Sequence, residues 1–99
     1  MFLVHLSHSG PQWDIDRPME EQTGWLAHAA YMDGLVAEGT IVLGGPLDEM
    51  RVVLAMKAES EEAVRAILSR DPWSGTHLRI ETIEAWMIRL DGRDSRDDH

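Results

Sequence analysis

The side chain in this sequence best suited to moving a proton is His28. It lies in residues 23–39, TGWLAHAAYMDGLVAEG, where Trp25, Ala29, Met32, Leu35 and Val36 recur at helical spacing and form one apolar stripe. At about 100° per residue His28 falls about 60° from Trp25, inside that stripe, whereas Asp33 and Glu38 fall elsewhere on the wheel. The pattern therefore carries an imidazole towards the protein interior. An inward histidine has two uses. It is either a packing residue held by hydrogen bonds, or, beside a carboxylate that fixes its tautomer, a general base near neutral pH.

Other chemistries find no support. The chain has no cysteine, which removes disulfides and thiolate nucleophiles. There is no phosphate-cradling glycine loop, no G-x-S-x-G elbow and no H-E-x-x-H. The five histidines are scattered without ligand spacing, and His5 and His8 alternate to opposite faces of one strand, so no metal and no cofactor is expected. The net charge is −9 with a single lysine, Lys57. That balance argues against binding nucleic acid phosphates or anionic lipid. No stretch approaches the roughly 20 apolar residues of a membrane span. The opening MFLVHLSHSG lacks a signal peptide's basic start, so a soluble protein of the cytoplasm is expected. With 99 residues and 43% hydrophobic content, the chain suits one small domain with a modest core, and a second copy would cover leftover apolar area.

The elements that must position His28 follow in order. Residues 2–8, FLVHLSH, alternate as a strand with Phe2, Val4, Leu6 and His8 on one face. Residues 9–22 form a connection whose Trp13 either folds over a pocket or covers the sheet edge. The His28 helix ends at Gly39, a C-cap by type. Residues 40–43 read as a strand running into Gly44-Gly45-Pro46, where Pro46 interrupts the ladder and bare glycines admit a ligand or a packed neighbour. A third strand spans residues 51–57. Ser60 caps a second helix with Glu61 and Glu62 in its first turn and Ala63, Val64, Ile67 and Leu68 as its stripe. Asp71-Pro72-Trp73 ends it, since the residue before proline leaves the helical region. A last strand covers residues 77–89, with a bulge near Ile83-Glu84. Residues 1–90 thus make one domain, and the polar residues 91–99 a mobile tail. The order β-α-β-β-α-β predicts the ferredoxin-like α+β fold, a four-stranded antiparallel sheet with two helices on one face. Its other face is apolar enough to favour a sheet-to-sheet homodimer.

His28 in a helix, Glu38-Gly39, the strand end Gly44-Gly45-Pro46 and Asp71-Pro72-Trp73 together resemble the YCII-related (YciI-like) family, in order and spacing, from the first strand through Trp86. The resemblance implies a dimeric α+β barrel and a histidine–aspartate pair in a cleft, which by matching motif would be His28 and Asp71. At least one relative acts on a chlorinated aromatic ring. Two departures stand out. Trp25 occupies the position where many relatives carry arginine, and the turn between the second and third strands is short. Tryptophan there suits an apolar ligand better than an anionic one, or simply packs.

On that resemblance His28 would take or return a proton on a small-molecule ligand while Asp71 orients it, in lyase- or isomerase-like chemistry. Asp71 serves equally as a polar helix-ending residue. The pocket is expected between helices and sheet, with Gly44, Gly45 and Pro46 as its backbone wall. Tyr31 and Trp73, and Trp25 unless it is core, are candidates for an aromatic lining. A non-catalytic ligand-binding or accessory domain, and a purely structural dimerisation module, remain open at this level.

Overall fold

Strand β1, Phe2–His8, is the axis of the fold. A computed structural model, which describes residues 1–93, flanks it with β3, Arg51–Met56, on one side and β4, Leu78–Ala85, on the other. Strand β2, Ile41–Pro46, pairs outside β3, so the antiparallel sheet runs β2-β3-β1-β4. Helix α1, Trp25–Ala37, joins β1 to β2, and α2, Glu61–Leu68, joins β3 to β4. This is the ferredoxin-like order expected from the sequence, with one added 3-10 turn at Met19–Glu21.

Alternation decides which face is buried. Val4, Leu6 and His8 point to the same side as Leu54, Val52 and Leu78, and onto that side pack Leu35 of α1 and Val64 and Leu68 of α2. Leu3, His5 and Ser7 face the other way, beside Ala55, Val53 and Arg51. That outer face is mixed: apolar towards β3 and Leu43, polar at Thr82, Glu84 and Arg79 on β4.

Strand β4 departs from expectation in two ways. It stops at Ala85, because β1 begins at Phe2 and only the Trp86 N–H, donating to the Met1 carbonyl at 2.8 Å, finds a further partner. The register shift lies at Glu81, not near Ile83-Glu84: Leu6 pairs with Ile80 and His5 with Thr82. Ile80 and Ile83 both pack against the core yet stand three residues apart, so one residue between them must be looped out. The bulged Glu81 accepts a hydrogen bond from the Ser7 hydroxyl at 2.6 Å.

Both helix ends obey their local chemistry. At the end of α1, Gly39 has φ +85°, its N–H reaches the Val36 carbonyl and Thr40 N–H the Leu35 carbonyl, a Schellman closure. Ser60 Oγ accepts from Ala63 N–H at 3.1 Å and starts α2. Val36 is an exception to the apolar stripe of α1, at 54% exposure. Residues 91–93 form a turn closed by Arg93 on Asp91, and the remainder of the expected tail lies outside the described residues. No helix among the described residues is long and apolar enough to cross a membrane. Ser60→Ala is expected to lower stability by about 1 kcal/mol through loss of the cap, read as a lower urea midpoint at unchanged m.

Candidate active site

The turn after α2 makes the site. Asp71 N–H donates to the Leu68 carbonyl at 3.1 Å, and Pro72 prevents the helix from continuing. The chain folds back so that the Trp73 N–H donates to Asp71 Oδ1 at 3.1 Å. The same carboxylate faces α1, where His28 Nδ1–H donates to Oδ1 and Oδ2 at 2.9 Å each. Both residues are buried, at 7% and 6% exposure. The two residues singled out by sequence therefore meet, 43 positions apart. Asp71 is both the helix-ending residue and the partner of His28.

Trp73 is the floor of this arrangement. Its ring is buried, stacks on His28 at 4.0 Å between centroids and 6° between planes, and takes His77 on its other side at 4.7 Å and 16°. Its indole N–H donates to the Thr23 carbonyl at 2.9 Å, tying the turn after α2 to the start of α1. Gly24, the cap residue between them, has φ +74°, and a Cβ there would sit 3.3 Å from the indole nitrogen. Both the left-handed backbone and the space call for glycine. Trp25 tilts against His28 and Trp73, and Trp13 meets the Trp73 edge while stacking on His8 at 4.2 Å. Trp13 thus covers the end of β1.

His77 shows what a structural histidine looks like here. Thr76 Oγ1–H donates to the Pro72 carbonyl, so that hydroxyl accepts from His77 Nδ1–H at 2.8 Å, leaving Nε2 to accept from the Thr23 hydroxyl at 2.9 Å. Both ring nitrogens are used by the neutral form. Burial pushes the His77 pKa below its usual value, and the neighbouring His28 pushes the same way.

His28 differs. Nδ1 is committed to Asp71, but Nε2 has no protein partner and is not sealed from solvent. It opens on a cleft of about 440 Å³ between α1 and β2, lined by Trp25, Met32, Val36, Ile41 and Leu54 among others. Gly44, Gly45 and Pro46 line it as expected. A Cβ on Gly44 would lie 2.5 Å from Leu54 Cδ2, so its bareness serves a packed neighbour, whereas nothing lies within 4 Å of the Gly45 position. Two expected lining residues do not reach the cleft. Tyr31 points to the other side of α1 and donates to the Ile67 carbonyl at 2.6 Å, locking the helices together. Trp73 is beneath His28 instead of beside a ligand. Val36 is exposed because it sits on the rim.

His8 also lines the cleft, and so does Met19 from the short 3-10 turn. Strand alternation put His8 on one face with Phe2, Val4 and Leu6, and the fold makes that face the core. Its meeting with α1 was not visible, since the connection that carries Met19 has no periodicity. A second cavity of about 670 Å³ adjoins the first through His8, Met19 and Pro46, between residues 13–20 and the β2–β3 turn.

No protein-family model matches the chain, and no curated protein does. Among solved structures it is similar to 5-chloro-2-hydroxyhydroquinone dehydrochlorinase from Burkholderia phenoliruptrix, in complex with 2,5-dihydroxybenzoquinone, with a TM-score of 0.60 and 22% identity over 88% of this chain and 94% of that one. The likeness is one of fold. What the two share is the ferredoxin-like α+β architecture.

The lowered His77 pKa carries a pH dependence. Between the unfolded value, near 6.5, and the lower folded one, the unfolded chain binds more protons, so stability is full above that window and falls as pH drops through it. His77→Gln is expected to flatten that part of the stability profile in urea unfolding from about pH 7 to about pH 5.

Proposed function

We propose that this protein is a small-molecule enzyme of the YCII-related kind, in which His28 is the general acid–base and Asp71 the residue that orients it. The observation that carries this is the buried His28–Asp71 pair whose remaining ring nitrogen opens on an apolar cleft. A carboxylate on Nδ1–H leaves Nε2 as the proton acceptor and stabilises the imidazolium once a proton arrives. The Trp73 face adds a cation–π contribution to that charged state. The electron pair left on the substrate then expels a leaving group, as in a lyase, or the proton returns at another position, as in an isomerase. The dehydrochlorinase of the same fold supports the first of these, on a ring-sized substrate.

Two companion proposals concern the whole protein. It works in the cytoplasm, and it pairs through the outer sheet face around Leu3, Val53 and Leu43, where Leu43 is 61% exposed.

Once a turned-over substrate is found in a screen of hydroxylated and halogenated rings, His28→Gln is expected to abolish turnover with an unchanged circular dichroism spectrum. Asp71→Asn should lower kcat by about a hundredfold or more. Normal turnover by His28→Gln overturns the acid–base role. Ligand binding that survives that change, with no turnover by the wild type, makes the protein a non-catalytic binding domain. For the pairing, sedimentation should show a dimer that Val53→Glu converts to monomer, and a wild type that is monomeric at every concentration removes the proposal.

A further inference from the structure

His8 and His28 share an open ring nitrogen that His77 lacks. His8 is 3% exposed, and its Nδ1 lies 3.0 Å from the Glu49 carbonyl. A carbonyl only accepts, so Nδ1 must carry the proton and donate it. That leaves Nε2 of the neutral ring as a bare acceptor. No protein group is bonded to it, and no buried side-chain nitrogen or oxygen among the described residues is left without a partner, so Nε2 of His8 is not sealed off, and the ring lies on the wall that the cleft shares with the second cavity. His28 has the same arrangement, with Nδ1–H fixed by Asp71 and Nε2 open.

We infer that His8 is a second proton-carrying catalytic group of the cleft, working opposite His28 on one bound molecule. The inference rests on the acid–base proposal for His28. Besides these two rings the cleft offers a single ionisable side chain, Asp33, and no lysine or arginine. Proton traffic at a substrate therefore falls to the imidazoles, and an uncharged molecule fits better than an anion. Geometry puts both within reach of one ring. Their centroids lie 4.0 and 6.5 Å from that of Trp73, which bounds their separation to little more than a disubstituted ring with a hydrogen bond at each end. Trp13, stacked on His8 at 9° between planes, holds the second imidazole as Trp73 holds the first.

The step balances without a further reactant. With His8 protonated at Nε2 and His28 neutral, a substrate C–H or O–H gives its proton to His28 Nε2. The bonding pair stays on the substrate, which takes the His8 Nε2 proton at another position. One N–H bond forms, one breaks, and the summed charge of the two rings is unchanged. Exchange with water at the cleft mouth restores the starting state.

Nitrogen NMR of the imidazoles in the full chain tests this, with resorcinol as the probe and its dimethyl ether, which has no O–H, as the control. His8→Asn and His28→Gln spectra assign the signals. Resorcinol is expected to shift Nε2 of both His8 and His28 and to leave His77, whose nitrogens are both occupied, in place. The ether should shift neither. Movement at His28 alone overturns the role of His8 and leaves that of His28 standing. Movement at His8 alone, or at neither while Met32 or Val36 methyls respond, overturns the His28 proposal and this one with it. An absence of any response to resorcinol overturns the two-histidine cleft.

Discussion

A single carboxylate holds this structure's parts in register. Asp71 is buried and, as an anion, would be expensive in a low-dielectric interior without partners. It has two. The Trp73 N–H closes the turn that follows α2, and His28 Nδ1–H reaches across from α1. Removing either leaves an incompletely compensated charge, so the end of one helix, the face of the other and the stacked tryptophan are set together. That mutual dependence is what makes a ring nitrogen point reproducibly into the cleft.

Around this pair the protein arranges three histidines in one aromatic cluster and treats them differently. His77 lies under Trp73 with both nitrogens occupied by threonine hydroxyls, and burial favours its neutral form. His28 and His8 each surrender one nitrogen to the protein and leave the other open. The same side chain thus has both nitrogens occupied in one place and one left open in two others, and the difference is the number of partners supplied. The tryptophans supply flat surfaces that prevent ring rotation without using the nitrogens.

Much of this was legible in the chain itself. Period-two and period-3.6 patterns located all four strands and both helices, while Ser60, Gly39 and Pro72 marked where helices begin and end. His28 was visible as an imidazole on an apolar stripe, and His8 only as sharing a strand face with Val4 and Leu6, both faces of that strand being apolar. The bulge was misplaced because alternation reports only that one residue too many is present. The need to turn both Ile80 and Ile83 inward decides which residue loops out. Aromatic type does not say whether a ring meets a ligand or another helix, so the places of Tyr31 against Ile67 and of Trp73 beneath His28 come from the fold.

Sequence alone therefore determined the order of elements, the buried faces and the acidic, cysteine-free character that removes whole classes of chemistry, since each depends on neighbours a few residues apart or on composition. Only the tertiary structure decided which nitrogen of each histidine is free, that the Gly44 gap belongs to Leu54, and that His8 joins His28 at one cleft. Those properties depend on groups dozens of residues apart brought within hydrogen-bonding distance, and no local pattern encodes such a meeting.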